Sequence, residues 1–399
     1  MGVAPEPLHP LITLSWAYGD GTVFTTSPPR AASRFLRGRA PRAGRDQGTA
    51  AYLPVSGTAV GIVARSTLAP PVLDLLEEAG HPIPAVRYEY QDERGYERLL
   101  ARLARVGHRF AMNHFHPLSQ IPREAWWIDP VVFADLNDKA SLARYVPRAH
   151  RPRRVVASLM EVRQVARGFQ TPFLLKASTG WSSGSGMAVR IISNPAELQA
   201  ALREWRGVKT VVVEEFQTFT RNLCLNYATD GNRVRYLGSG EQLVDGTAYL
   251  GSWVDRESRA PKAAIALGHE IMERGRQRGY IGIAGFDIGI TPRGHPIAFD
   301  LNFRLCGSTL PLLYQDALRD RSRKMSCSTS IRAEGKQGAK RMLATTRAAM
   351  RAGIFLPYAI FTPEPETRQT HPVVYGLILG RDRPAVERNR ARLARAGLE

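Results

Sequence analysis

The chain has 399 residues, 44% of them apolar, which suits two or three soluble units of ordinary domain size. No stretch reaches the ~18 uninterrupted apolar residues of a membrane span, and Met1–Pro10 lacks the basic start and apolar run of a signal peptide, so a cytoplasmic protein without membrane association is expected. The net charge of +19 favours anionic partners without choosing among nucleotides, acidic substrates, an acidic carrier protein and nucleic acid, and three cysteines without a C-x-x-C pair argue against a disulfide framework or structural zinc.

In chain order, residues 1–50 are rich in Gly, Pro and Arg; Leu11–Trp16 reads as a first strand and 27–50 as a basic loop. Ala59–Val63 is a short β-branched apolar run, a buried strand. Pro70–Ala79 follows as a helix, with Leu73, Leu76 and Ala79 at helical spacing. Ala85–Tyr90 is a second strand, and Glu93–Val106 an amphipathic helix with Leu99, Leu100, Leu103 and Val106 on one face. Arg109–Phe115 is a third strand. Alternation of strand and helix implies a parallel sheet, in a small doubly wound domain ending near Pro130. His114 and His116 flank Phe115 and read as ordinary polar-face histidines, and Trp126-Trp127 as packing between domains.

Beyond Pro130 the pattern changes. Leu136–Leu142 reads as a helix and a basic linker follows. Thr171–Ala177 is a strand, 178–186 a Gly/Ser loop and Met187–Ile192 the returning strand. Asn194-Pro195-Ala196-Glu197 opens a helix with a cap, a first-turn Pro and a Glu. Thr210–Phe216 is a strand, 222–237 a hairpin turning at Asp230-Gly231, and Lys262–Arg278 a helix. Ile283–Ile290 and Pro296–Leu301 form a second hairpin. Antiparallel hairpins among helices mark a separate α+β region.

Three segments carry chemistry. An apolar strand delivers Lys176 into a loop containing Ser178, Ser182, Ser183, Gly184, Ser185 and Gly186. Gly lets backbone N–H groups approach an anion, hydroxyls add donors and lysine supplies a positive charge for phosphate oxygens. The lysine precedes the loop, so this is not a Walker motif; the alternative is a solvated hairpin loop. Asp300 and Asn302 lie two apart on a strand and so share a face, and Asp287 stands on the partner strand. Three oxygen ligands suit Mg²⁺, which keeps waters and takes its other ligands from phosphates. Arg304 continues that face, where a guanidinium can hold a phosphoryl group or an oxyanion. Finally, Val211–Phe216 is a β-branched run ending in Glu214, Glu215 and Phe216. Such an end between two lobes can offer backbone groups to adenine and a carboxylate to ribose; the alternative is a strand ending in solvated acids.

Taken in order, Asp138-Lys139, the Lys176 strand and loop, Glu214–Phe216, Asp287 and the run Asp300–Arg304 resemble the ATP-grasp superfamily over about 135–310. The resemblance implies a Rossmann-like domain (1–130) before a small lobe with the phosphate-binding loop (131–217), a large lobe with the metal site (218–355) and a basic C-terminal segment (356–399). It implies ATP as cofactor with Mg²⁺, or Mn²⁺ in its place. Lys139 and Lys176 would contact phosphates, and Ser178–Gly186 would close over them. Glu214–Phe216 would hold adenine, with Glu215 toward ribose. Asp287, Asp300 and Asn302 would bind metal, and Arg304 would steady an acyl phosphate. Many members carry Glu where Asp287 and Asp300 stand. Within the superfamily the chain is similar to bacterial amino-acid and peptide ligases of natural-product pathways, the pheganomycin peptide ligase among them; Gln242 and Ser308 would then contact substrate.

The function expected from this resemblance is ADP-forming ligation of a small-molecule carboxylate to an amine, an amino acid or peptide, through an acyl phosphate. Since members often pair, a homodimer is expected too. The rivals are aminoacylation of an acidic carrier protein, a nucleic-acid-binding protein using the runs Arg30–Arg45, Arg144–Arg154, Arg319–Arg351 and Arg381–Arg395, and an ATP-binding protein without catalysis. Nucleic-acid binders usually interleave aromatics with basic residues, whereas Arg30–Arg45 contains only Phe35 and Arg319–Arg351 no aromatic residue, which counts against nucleic acid.

Overall fold

A computed structural model describes residues 7–29, 42–179, 186–321, 326–363 and 371–399. The strands β1 (Val23–Thr25), β2 (Val60–Ala64), β3 (Tyr88–Tyr90) and β4 (Phe110–Met112) form a parallel sheet in the order β3-β2-β1-β4. Its helices follow local signals. Pro70–Glu78 begins with proline at its first positions, and Glu93–Arg105 begins where the Asp92 carboxylate accepts the Gly95 N–H at 2.6 Å. Leu99, Leu100 and Leu103 of the latter are buried, as the spacing requires.

The expected first strand, Leu11–Trp16, is instead a bend leading into a helix that begins at Leu14. Thr13 Oγ1 accepts the Trp16 N–H at 3.2 Å and opens Leu14–Tyr18, which stops at Gly19 with φ +92°. A short apolar run does not distinguish helix from strand by periodicity; here the capping threonine decides. The true first strand is β1, whose Val23 pairs with both Val60 and Phe110. Leu136–Leu142 is likewise not one helix. Pro130–Asn137 ends at Asp138, a 3₁₀ turn Lys139–Ser141 follows, and Leu142–Tyr145 resumes.

The second sheet contains β5 (Arg154–Ser158), β6 (Phe173–Ser178), β7 (Val189–Ile192) and β8 (Thr210–Glu215), antiparallel in the order β5-β8-β6-β7. β5 falls within what reads as a basic linker. It is an edge strand with Val155 and Val156 exposed, so its sequence carries little core signal.

The third sheet has eight strands: β9 (Arg221–Thr229), β10 (Val234–Asp245), β11 (Ala248–Val254), β12 (Gly282–Ile290), β13 (Pro296–Asn302), β14 (Cys327–Glu334), β15 (Phe355–Phe361) and β16 (Val373–Gly380). Their order is β13-β12-β9-β10-β11-β14-β16-β15. Lys262–Gln277 packs Leu267, Ile271 and Met272 against it. The stretch 356–399 supplies β16 and the helix Arg383–Arg395, so it joins this sheet through β14.

The first domain is tied to the large sheet. Trp127 Nε1 donates to the Ile281 carbonyl at 2.8 Å and stacks beside Trp126. His114 and His116 lie beyond the end of β4 rather than on it. His116 is fully buried, its Nδ1 donating to the His114 carbonyl at 2.9 Å and its Nε2 accepting from Tyr96 Oη at 3.0 Å. Several arginines of the basic runs are ion-paired: Arg347 and Arg351 hold Glu78, and Arg383 holds Asp255 and Glu241. Among the described residues no helix is long and apolar enough to cross a membrane.

Candidate functional site

The small and large sheets face each other across a cavity of about 530 Å³, and Lys139, Lys176, Glu214, Glu215, Gln242, Asp287, Asp300, Asn302, Arg304 and Ser308 converge on it. That size is within the usual range for small-molecule sites. Its small-sheet wall is charged. Glu214, on β8, is directly opposite Arg154 on β5 and one strand from β6, which carries Lys176. Glu214 Oε1 is 2.6 Å from Lys176 Nζ, and Oε2 is 3.4 Å from Arg154 Nη1. All three side chains are at most 5% exposed. Lys176 also donates to the Phe299 carbonyl of β13 at 2.8 Å, so it spans from the small sheet to the large one. Burial lowers the Lys176 pKa, against the opposing pull of Glu214 and Asp300.

Lys139 projects from its 3₁₀ turn, whose start is fixed by the Asp138 carboxylate accepting the Ala140 N–H at 2.9 Å. Its Nζ reaches Asp300 Oδ1 at 2.7 Å. Burial alone would raise the Asp300 pKa; the charges of Lys139 and Lys176 outweigh it and hold this carboxyl below its usual range. Asp287, its neighbour across the β12–β13 pairing, behaves oppositely. Desolvation, then the charge of Asp300, push Asp287 up to about 7. Two carboxylates side by side in a buried site thus separate into an ionised one and one that keeps its proton near neutrality.

Gln242 on β10 donates from Nε2 to Asp287 Oδ1 at 2.9 Å. Arg304 Nη2 donates to Asn302 Oδ1 at 2.6 Å, and Asn302 Nδ2 lies 3.5 Å from Asp300. Asp287, Asp300 and Asn302 therefore gather on one wall with Arg304 beside them. Among the described residues no group of three or more His, Cys, Asp or Glu side chains is placed to hold a metal. The set here is two carboxylates and one amide, which suits an ion that draws its other ligands from water and phosphate.

The loop expected to cover phosphates is represented by its ends; Ser182, Ser183, Gly184 and Ser185 lie outside the described residues. Ser178 is buried and donates to Asp138. Gly186 lines the cavity with φ +71°, and a Cβ there would lie 1.7 Å from the Thr247 carbonyl of the β10–β11 turn. Only glycine permits this contact between the two walls. Glu215 and Phe216 also line the cavity, with Leu174, Ile191 and Phe299 offering apolar surface nearby.

At the other end stand Tyr52, Tyr249 and Tyr375, from the first domain, β11 and β16. Ser308 is fully buried and accepts from Asn226 Nδ2 at 2.9 Å, just before the helix Thr309–Arg321 begins. Cys224 and Cys306 line the same region with sulfurs 3.6 Å apart. Their mutual hydrogen bond draws Cys306 down to about 6 and raises Cys224 well above the thiol range. Nothing in the local sequence marks Arg154, Asn226, Tyr52, Tyr375 or this thiol pair as site residues. The one available signal is Arg304–Thr309, whose Gly and hydroxyl residues resemble a turn after a metal strand.

Two family models match this chain: the ATP-grasp domain of L-aspartate--L-methionine ligase over residues 152–302, and the N-terminal domain of the same ligase over 13–134. Together they span more than half of it. Among solved structures, an ADP complex of N5-carboxyaminoimidazole ribonucleotide synthetase matches with a TM-score of 0.62, at 11% identity over 97% of this chain and 98% of the other. The Aspergillus clavatus carboxyaminoimidazole ribonucleotide synthase, complexed with ATP, gives 0.60 at 12% over 95% and 98%. The N5-carboxyaminoimidazole ribonucleotide synthetase of Thermus thermophilus gives 0.57 at 14% over 95% and 98%. At such identities the likeness is one of fold, extending over nearly the whole chain.

Proposed function

Because this chain belongs to the ATP-grasp carboxylate–amine ligases, we propose that it joins two free amino acids into a dipeptide at the expense of ATP, with aspartate and methionine as its first candidate substrates. The observation that carries the reading is the convergence of Lys139, Lys176 and Arg304 with Asp287, Asp300 and Asn302 on one cavity between two sheets. Both family descriptions, of the N-terminal and of the ATP-grasp half, point to the same substrate pair.

The first step forms a bond between a substrate carboxylate oxygen and the γ-phosphorus of ATP, and breaks the bond to the β–γ bridging oxygen, releasing ADP. In the second, an amine nitrogen attacks the acyl carbon, inorganic phosphate leaves and the nitrogen gives up a proton. Lys139 and Lys176 would neutralise the phosphates, and Arg304 would steady the acyl phosphate; such transfers need chiefly positioning and charge neutralisation. Asp287, Asp300 and Asn302 would hold Mg²⁺, which supplies further neutralisation of phosphate charge when bound. Adenine would rest among Leu174, Ile191, Phe216 and Phe299, apolar residues of the cavity wall, with Glu215 toward the ribose. The tyrosine-lined end suits an apolar or thioether side chain.

The test is ADP release from purified protein with aspartate, methionine, both or neither, together with mass spectrometry of the product. Release requiring both amino acids and yielding their dipeptide supports the reading. ADP formed at the same rate without an amine, or no product from any amino-acid pair, overturns it.

A further inference from the structure

Cys224 and Cys306 take no part in the two steps above, yet the fold makes room for their sulfurs side by side. Cys224 sits on β9 opposite Asp287. Cys306 sits in the turn after β13, which is closed by the Thr309 N–H donating to the Cys306 carbonyl at 3.0 Å and by the Cys306 N–H donating to Thr309 Oγ1 at 3.0 Å. Gly285 on β12 leaves the space. A Cβ at that position would lie 2.3 Å from Cys306 Sγ and 3.1 Å from Cys224 Sγ. The sulfurs are 3.6 Å apart, and a disulfide needs about 2.05 Å. The turn has only to shift by roughly the difference. Cys224 is 3% exposed, whereas Cys306 is half-buried and opens to the cavity, the side from which a small oxidant arrives.

We propose that Cys224 and Cys306 form a modification site, a dithiol that hydrogen peroxide converts to an intramolecular disulfide within the cavity, reversibly stopping ligation. The Cys306 sulfur attacks one peroxide oxygen; the O–O bond breaks, leaving a sulfenic acid and one water. The Cys224 sulfur then attacks the Cys306 sulfur, the S–O bond breaks and a second water leaves. Two thiols are oxidised, one peroxide is reduced, and both thiol protons end in water. The new bond draws the turn carrying Cys306 toward β9. That displaces Arg304 and Ser308 on either side of it, and misplacement by about 1 Å costs a rate on the order of a hundredfold. The inhibitory consequence rests on the ligase reading; the thiol chemistry does not.

The experiment treats the reduced full-length chain with hydrogen peroxide, denatures it and alkylates the remaining thiols. Of its three cysteines, only Cys327, on β14 beside Asp255 and away from the pair, should remain alkylatable. The unalkylated mass should fall by about 2 Da, peptide mapping should link Cys224 to Cys306, and dithiothreitol should restore all three thiols. Cys327→Ser should keep the link. Cys224→Ser should lose it and leave a dimedone-reactive Cys306. ADP release by the oxidised wild type should fall about a hundredfold and recover on reduction. Three alkylatable thiols after peroxide, or a link through Cys327, would refute the site. A link that leaves ADP release unchanged would refute the inhibition. Because the thiol count does not depend on turnover, failure of the ligase assignment would still show the link.

Discussion

Replacing Glu214 by glutamine should unfold this protein more easily than removing the lysine it holds. Glu214 is the shared counter-charge of Lys176 and Arg154, at 2.6 and 3.4 Å, in a site with almost no solvent contact. Glu214→Gln keeps the shape and removes the charge, leaving two buried cations around a neutral amide. Breaking a buried ion pair in this way costs about 3–5 kcal/mol. A ceiling exists, because Lys176 can release its proton. At pH 7 that costs about 4.6 kcal/mol relative to an ordinary lysine near pKa 10.4, at 1.36 kcal/mol per unit. For a chain of 399 residues unfolding as one unit, at about 2.1 cal/mol/K of unfolding entropy per residue, the lower figure corresponds to a fall in Tm of about 4 °C. Lys176→Met instead leaves Arg154 and Glu214 as a balanced pair. It should lose ADP release while costing less than half as much stability. The pH dependence is a further check. A lysine pKa depressed in the folded state makes the unfolded state bind more protons up to about pH 10. Stability therefore rises with pH, and the Glu214→Gln deficit should shrink between pH 7 and 9. Scanning calorimetry of the two variants and the wild type decides it. If Glu214→Gln melts with the wild type, or Lys176→Met is the less stable of the two, the buried triad does not have the energetic role argued here.

Asp300→Asn removes the partner of Lys139 and one oxygen of the metal wall; ADP release should fall about a hundredfold or more with an unchanged circular dichroism spectrum. Because Asp287 keeps its proton up to about pH 7, an ion must displace that proton to use this carboxylate. The Mg²⁺ concentration for half-maximal ADP release should therefore fall roughly fivefold from pH 6 to pH 7 and about twofold more before it levels off above pH 8, and EDTA should abolish release. His116 is buried neutral, with its pKa lowered to about 4 by desolvation. The unfolded chain takes up that proton near pH 6.5, so about 3 kcal/mol of stability should be lost as pH falls from 6.5 to 4. Urea unfolding across that range measures it, and His116→Phe should flatten the slope. Gly186→Ala places a Cβ against the Thr247 carbonyl at positive φ; the KM for ATP should rise several-fold, about tenfold per 1.4 kcal/mol of strain, with little change in Tm.

Long elements with a strong local signature are legible in the sequence. Glu93–Arg105 shows its buried leucines at helical spacing, and the β12–β13 hairpin shows its alternation. The failures have local causes. Leu11–Trp16 is too short for its periodicity to choose between helix and strand, and a threonine cap chose helix. β5 is an edge strand whose exposed valines and arginines resemble a linker.

The candidate site divides along the same line. Alternation on β13 is enough to put Asp300 and Asn302 on one face, because a strand's period is a property of neighbouring residues. No local rule brings Lys139 to 2.7 Å from Asp300 across 161 positions, or places Arg154 against Glu214. The sequence alone determined the kinds of group available: lysines, carboxylates, an arginine and a glycine-bearing loop. Only the tertiary structure decided which carboxylate is ionised, which lysine is buried against a counter-charge and which thiols touch. Those properties depend on burial and on charges a few ångströms away, and both are set by how the sheets pack.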